Sequence, residues 1–581
     1  MSTQVVTADA TRAHRPRYNR PLARTLPGEP TARPAMLTYT DPSEQTLPPA
    51  TEKPWLLILL CLAWLLPGLI GHQPLKPDEI VSAAVVRQFL AGQSWALPLL
   101  GAEAWVEHGP LYYWAAALVA GMGQWFGLPI HDGARIAAGL FTGTALWATG
   151  LTGRALLGRR HGRSAVLILV GSLGLLLPGH AASSDSAVLA GWCIGLYGLT
   201  LAARRAAPAG VVLAVALTLL GLAGSLLEPV LLLTLAIGLR RFPHWHGSRL
   251  RGALLLALGL SLPLLTAWPL ALWLADRASF ALWWEHFALG PLGGFADLRV
   301  FHPFGYYLQL LPWFAWPAWL IAAATLWMQR QRLAEPRFQL PLGAAGLVLA
   351  MLLLSDTEKM GYALLLLPPL ALIGAAGLDV MRRGAAAFLN WFGIMTFGVI
   401  AVFLWLNWGA IHFGWPRRMA ERVHELSPSF VAEFSLMASL VAVAMTLAWL
   451  WAVSRRRPMG RQAVTNWAAG ATLGWGLAIA IVTGWVDART SYRDFARALA
   501  PHLPRQACIT SENLGPSQRA VLDYYLDVAT IRRERRPQSG CDWLLRQGGR
   551  ERLSPPTGWR EVWQGGRPGD RNERYYLYQR E

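Results

Sequence analysis

The chain has 581 residues, of which 54% are hydrophobic and 15% charged, well under the roughly 25% of charged residues in an average soluble protein. Apolar stretches recur from residue 55 to residue 485, which excludes a string of soluble domains on polar linkers and predicts one large membrane-embedded unit. The 52 Lys+Arg against 34 Asp+Glu leave a formal net charge of +18, so the partner class, whether nucleic acid, membrane surface or anionic substrate, depends on where those charges sit.

Residues 1–53 are polar and proline-rich, carry arginines from Arg12 to Arg33, and show no apolar period; they are expected to form a disordered arm. The first apolar run, Trp55 to Ile70, follows too long a leader for a signal peptide and is expected to be an uncleaved transmembrane helix. Further apolar segments lie near 133–153, 164–179, 187–203, 210–225, 226–239, 252–274, 305–328, 340–354, 362–378, 385–408, 433–453 and 464–485, which predicts about thirteen spans over residues 54–485.

Alternate connections hold arginine clusters: Arg154, Arg159, Arg160 and Arg163, then Arg204 and Arg205, and likewise onward to Arg455, Arg456, Arg457 and Arg461. The positive-inside rule places these and the N-terminal arm in the cytoplasm. The acid-bearing connections, with Asp78, Glu79, Glu107, Asp185, Glu228 and Glu358, then face the other side. An odd span count puts residues 486–581 there too, as a small α/β domain suggested by AVLDYYLDVATI. Cys61 and Cys193 fall in spans; Cys508 and Cys541 fall in the tail, where they either pair in an oxidising compartment or stay as two buried thiols. No repeat, zinc-finger spacing, Walker loop or dinucleotide fingerprint occurs.

Ionisable residues near hydrocarbon are rare unless paired or functional, and here they collect in the acid-bearing loops. The first, residues 71–132, is far longer than a connection needs. Within it Asp78 to Leu90 has the apolar pattern of an amphipathic helix lying at the membrane interface, with Asp78 and Glu79 placed either as dipole-favourable starting acids or as functional ones. Glu107 and His108 form a dipeptide that suits metal ligation but is a weak signal, beside an aromatic run that also suits a membrane belt. Asp185, in HAASSDSAV, stands where it or Ser184 can cap the next helix. SDTEKMGY puts Lys359 and Tyr362 at the mouth of a hydrophobic helix on the acid-rich side, where a basic residue invites an anionic ligand.

In order, Asp78-Glu79, VEHGPLYYW, Arg135 in HDGARIAAGL, SSDSAVLAG, HPFGYYLQLLPWF and TEKMGYALLLLPPLAL resemble the bacterial lipid-linked sugar transferases of the protein mannosyltransferase superfamily, with the aminoarabinose transferases that modify lipid A as the most similar branch. The resemblance runs from about residue 55 to 500. It implies a GT-C fold, a periplasmic C-terminal domain, an inner-membrane location, and transfer of 4-amino-4-deoxy-L-arabinose from undecaprenyl phosphate to a lipid A phosphate. By position it implies that Asp78, with Glu79 beside it, and Asp185 are the catalytic acids. It makes Lys359, Tyr362, Arg135 and Tyr306 the donor-phosphate set, and Glu107 with His302 the ligands of a divalent metal ion. No nucleic acid is expected as a partner.

Three family cations are replaced: Val81 stands for an arginine, His108 for a lysine, and Leu227-Glu228-Pro229 for Lys-Gly-Pro. Arg135, Arg277, Arg299 and Lys359 remain to neutralise phosphate. These departures put donor and acceptor in question. The alternatives are transfer of another polyprenyl-phosphate sugar, such as mannose, to protein or glycolipid hydroxyls; glycoside hydrolysis by paired acids; and a lipid transporter or flippase, which would favour midplane sites in repeated halves.

Overall fold

The computed structural model describes residues 54–300, 305–427, 430–455, 459–504, 508–534, 540–549, 553–567 and 573–581. The arm 1–53 and His302 lie outside the described residues.

Uncharged apolar runs become helices, and glycine and alanine let them approach closely. α1 (Pro54–Leu65) is followed by α2 (Asp78–Leu90) and α3 (Leu111–Gln124), both inside the long first loop, and by α4 (Ile130–Leu157). Next come α5 (Arg159–Val170), the single turn α6 (Leu173–Leu176), α7 (Asp185–Ala202), α8 (Ala206–Ala223) and α9 (Leu227–Leu239). α10 (Ser248–Ala275) and α11 (Arg277–His286) lead to α12 (Gly305–Phe314), α13 (Ala318–Met328) and α14 (Pro336–Leu354). A 3-10 turn, Met360–Leu366, runs into α15 (Leu367–Gly377), and α16 (Arg383–Phe413), α17 (Arg417–Leu426), α18 (Leu436–Ser454) and α19 (Met459–Thr490) complete the bundle. Where α4 meets α5, a Cβ on Gly162 would stand 2.5 Å from the Gly150 carbonyl oxygen, so only glycine permits this crossing. α7 is 83% buried and α18 only 6%, which puts the first at the centre and the second at the lipid-facing rim.

Among the described residues eight helices are long and apolar enough to cross a membrane, nine if α12 and α13 form one span. The expected thirteen are therefore not matched one for one. α1 and α9 have 12 and 13 residues, short of the ~20 that a crossing takes. α4 has the length, but its first turns carry His131, Asp132 and Arg135, all buried. The run 164–179 is interrupted between α5 and α6. The run 305–328 bends by 87° between α12 and α13, at Pro317, which offers no N–H and disfavours helical geometry in the residue before it.

The tail begins with α20 (Arg493–Leu499), and α21 (Pro516–Leu526) packs on a five-stranded sheet. After the small hairpin β1 (Leu99–Leu100) and β2 (Glu103–Ala104), the strands are β3 (Ile509–Glu512), β4 (Thr530–Arg532), β5 (Trp543–Gly548), β6 (Trp559–Gly566) and β7 (Arg574–Arg580). Their order is β4-β3-β5-β7-β6, with β3 parallel to β4 and β5 and with β7 antiparallel to β5 and β6. Along β7 the side chains alternate: Tyr575 and Leu577 join the main core, while Tyr576 and Tyr578 pack on the other face with Leu544. A disulfide joins Cys508 to Cys541, with Cα atoms 5.1 Å apart.

The tail is not a free-standing unit, for residues 54–581 form one compact body. Asp523 on α21, almost fully buried, accepts hydrogen bonds from Arg87 and from Gln88 Nε2 (2.8 Å) on α2, and from the Gly101 amide (3.0 Å). Glu573, just before β7, holds Lys76 at 2.8 Å. α2 is therefore packed between α3, α4 and α21, and nine of its thirteen residues are buried. Protein thus covers the apolar stripe of this helix.

Beneath α2 lies a closed polar cluster. Arg135, fully buried, grips Glu79 with two bonds (Nε to Oε1 2.9 Å, Nη2 to Oε2 3.0 Å) and Asp132 with one (Nη1 to Oδ1 2.9 Å). It also donates to the carbonyls of His72 (2.8 Å) and Gln73 (2.9 Å). Removing the guanidinium leaves buried carboxylates unpaired, so Arg135→Leu is expected to lower stability by about 3–5 kcal/mol, read as an early thermal unfolding transition in detergent. An unchanged transition would show that the cluster does not hold the fold.

Candidate active site

Two helix starts and one loop converge. Asp78 is the first residue of α2 and Asp185 the first of α7, while Lys359 precedes the 3-10 turn. Asp185 and Ser184 are not consumed as caps: no side-chain cap bond forms at the start of α7. The Asp185 carboxylate instead faces Lys359, Oδ1 to Nζ 3.8 Å. Gly361 makes this approach possible, because a Cβ there would collide with the Asp185 carboxylate.

Lys359 also donates to His108 Nε2 at 2.7 Å. The ring nitrogen facing an ammonium must be the acceptor, so the His108 proton belongs on Nδ1. Burial, aided by the Lys359 charge, holds the His108 pKa well below its ordinary value, which keeps the ring neutral. Burial alone would push Lys359 down, but Asp185, Asp78, Glu107 and Glu228 together outweigh it and hold its pKa above the ordinary lysine value. Asp78, open to the cavity but hemmed in by protein, accepts no hydrogen bond from the described residues. Lost solvation raises its pKa, with Asp185 and Glu79 adding and Lys359 opposing. Glu107 is raised in the same way, by burial first, against the pull of Lys359.

Of these groups Asp78, Asp185 and Lys359 line a cavity of about 770 Å³. Its polar end has Asp78, Asp185, Lys359 and Gly361; its long wall is built by α16 (Phe403, Leu404, Asn407, Ile411), by α17, and by α19 (Trp475, Ile479, Val482, Val486). A polar head with an apolar trough leading from it suits a lipid with a charged headgroup.

The remaining sequence candidates lie as follows. Glu79 is bound by Arg135 and accepts from the amides of Leu75 (2.8 Å) and Ala182 (3.1 Å); burial would raise its pKa, but Arg135 outweighs that and lowers it. It positions the catalytic candidates and is not free to join them. Arg135, expected at the donor phosphate, spends its donors on Glu79, Asp132 and two carbonyls and is out of reach of a ligand. The Tyr362 ring lies 6.0 Å from Lys359 Nζ. Tyr306 only stacks edge-on against Tyr307 at 5.0 Å. It is the Tyr307 hydroxyl that donates to the carbonyls of Thr357 (2.9 Å) and Lys359 (3.2 Å). Arg299 pairs with Asp297, and Arg277 lies over the Trp273 ring. Neither lines the cavity.

The replaced cations have local explanations. Val81 is buried in the core. Glu228 accepts from the Ser225 amide at 2.8 Å and from its hydroxyl, which ties the first turn of α9 to the residues before it. Of the metal pair, His302 lies outside the described residues, and Glu107 lies within the field of Lys359. The described residues contain no group of three or more His, Cys, Asp or Glu arranged for a metal ion, and no step is routed through a metal.

No protein-family model matches the sequence, and no curated protein matches it. Among solved structures, the chain superposes on ArnT from Cupriavidus metallidurans bound to undecaprenyl phosphate, with a TM-score of 0.64 and 16% identity over 90% of this chain and 97% of that one. The same protein in the apo state gives the same values. The chain has the GT-C fold. An oligosaccharyltransferase from Archaeoglobus fulgidus, tethered to an acceptor peptide, superposes more loosely, with a TM-score of 0.45 and 11% identity over 83% of this chain and 64% of that one. With its many apolar helices, this GT-C chain is a multi-pass membrane protein.

Tyr307→Phe removes the hydroxyl that ties down the Lys359 segment. One hydrogen bond of about 1 kcal/mol predicts roughly fivefold faster amide exchange across Ser355 to Tyr362, with α7 unchanged. Unaltered exchange there would show that the segment is held by other contacts.

Proposed function

We propose that this chain is a glycosyltransferase that moves a sugar from undecaprenyl phosphate to an acceptor at the extracytoplasmic face of the bacterial inner membrane. The N-terminus is cytoplasmic and the tail periplasmic in this reading. The observation that carries it is the joining, in one cavity, of Asp78, Asp185 and Lys359 with a long apolar trough, in a fold shared with a protein solved with undecaprenyl phosphate.

The reaction breaks the bond between the anomeric carbon and the phosphate oxygen and makes one to an acceptor oxygen; the electron pair leaves with the polyprenyl phosphate. Lys359 stands where negative charge grows on that oxygen, and a fixed ammonium in a water-poor site stabilises it strongly. Asp78 faces the sugar side. With a hydroxyl acceptor it takes the proton as general base; with a phosphate acceptor, already ionised, it orients the sugar.

The sugar best supported is 4-amino-4-deoxy-L-arabinose and the acceptor a lipid A phosphate. Four acids, Asp185, Asp78, Glu107 and Glu228, act on the single Lys359, so a bound sugar meets an excess of negative charge. A sugar carrying an ammonium group gains from that excess, whereas a neutral hexose such as mannose does not.

In proteoliposomes with radiolabelled lipid-linked aminoarabinose and lipid A, the wild-type chain is expected to transfer label and Asp78→Asn to abolish transfer while remaining folded. Movement of intact donor without bond cleavage would sink the transferase reading in favour of a flippase. Mass spectrometry of lipid A from cells with and without the protein should show the aminoarabinose substituent only in the former.

Asp78 acts ionised, and its pKa is raised, so activity is lost as pH falls through a value above the ordinary aspartate pKa of about 3.9. An acid limb at or below that value would remove Asp78 from the role. Gly361→Ala, by displacing Asp185 from Lys359, is expected to cost about a hundredfold in rate; a near-normal rate would show that the contact is not needed.

A further inference from the structure

α17 has the sequence RRMAERVHEL. Its residues Met419, Arg422, Val423 and Leu426 all line the cavity; they follow the i, i+3, i+4, i+7 spacing of one helix face. The face is apolar except for Arg422. Arg422 is exposed like the other charged residues of the helix, Arg417, Arg418, Glu421 and Glu425, but it alone of these five lines the cavity.

Of the three Lys and Arg side chains lining the cavity, Lys76 is paired with Glu573 at 2.8 Å and Lys359 is held between His108 and Asp185. Arg422 alone of the three has no hydrogen-bond or ion-pair partner among the described residues. Asp487, an acid that also lines the cavity, accepts from the Gln73 amide at 3.0 Å. The level of α17 is marked by aromatics. Trp408, His412, Phe413 and Phe434 cluster where α16 ends and α18 approaches, and the exposed Trp415 stands two residues before α17. Such a belt marks the headgroup layer of a membrane, where lipid phosphates lie.

We infer that Arg422 is a second anion-binding residue of this cavity, one that receives the phosphate of the acceptor lipid while Lys359 serves the donor. This rests on the transferase reading. Two lipid substrates have to reach one site, and the cavity carries two cations for them: one among the acids where the bond is broken, the other on the apolar wall at headgroup level. The guanidinium fork suits a phosphate bidentately. The acceptor then lies along α16 and α17 with its headgroup turned toward Asp78.

The test uses the full chain in nanodiscs, with lipid A and dephosphorylated lipid A as probes. Initial rates are expected to show the KM for lipid A raised about tenfold or more in Arg422→Gln, the loss of one charge-assisted contact. Donor KM and the rate at saturating lipid A should stay near wild type. Arg422→Lys should recover most of the affinity, and Arg417→Ala, on the outer face of the same helix, should behave as wild type. Native mass spectrometry with the same two probes reads binding without turnover: wild type should prefer the phosphorylated lipid and Arg422→Gln should not. A raised donor KM with unchanged lipid A KM would overturn the assignment and make Arg422 a donor contact, as would equal retention of both probes by wild type and variant. Absence of transfer by the wild-type chain would overturn the transferase reading itself, while the binding comparison would still decide whether Arg422 recognises phosphate.

Discussion

Arg135 and Glu79 form the contact on which the site depends. Glu79 adjoins Asp78 in the chain, and its Oε1 also receives the amide of Ala182, three residues before Asp185. Arg135 holds that carboxylate with two bonds while gripping the His72 and Gln73 carbonyls. One guanidinium thus sets the start of α2, the turn before α7 and the strand of chain leading into the first loop. A buried pair of this kind contributes less to net stability than its Coulomb attraction suggests, because both ions lose their water. Its value here is geometric: two helix starts, each bearing an aspartate, are brought to one place.

Around that centre, the cavity is assembled from parts far apart in sequence. The C-terminal sheet domain presses α21 onto α2 through Asp523, and Glu573 draws in Lys76. α16 and α19 supply the apolar wall. The polar end holds more acid than base, and the charge of Lys359 is the sum of opposing influences, burial against four carboxylates. A cation so balanced stays charged across the working pH range, yet its field is largely spent within the protein until a ligand displaces part of the solvent and shares it.

Several features were legible in the sequence because they are local. The helix Asp78–Leu90 is found with the bounds that its apolar spacing predicts, and Lys359 stood out as a base on an acid-rich side. The bend in 305–328 was written in Pro312 and Pro317, but hydropathy counts residues and not breaks. The role of Arg135 was not legible. An arginine near acids on the extracytoplasmic side looks like an anion binder until a partner 56 residues away is seen to enclose it. Tyr306 and Tyr307 are neighbours in sequence but about 100° apart on a helix, so a motif match names the pair without saying which one faces the lysine. Arg422 was missed because the short segment between two spans reads as a polar connection; its signal, one arginine within Met419, Val423 and Leu426, appears only when the segment is read at helical spacing.

The partnership of Lys76 with Glu573 spans 497 residues, and β7, which follows Glu573 directly, lies inside the sheet between β5 and β6. On a ribosome the first loop therefore emerges long before the strand that completes its support. Chains are made at about 5–20 residues per second, so for tens of seconds the helices accumulate in the bilayer while α2 lacks its cover and Lys76 its acid. Lys76, which lines the cavity, gains its acid only when Glu573 is in place. A truncated chain that has inserted all its helices thus holds every residue that lines the cavity but lacks the supports that Asp523 gives α2 and Glu573 gives Lys76.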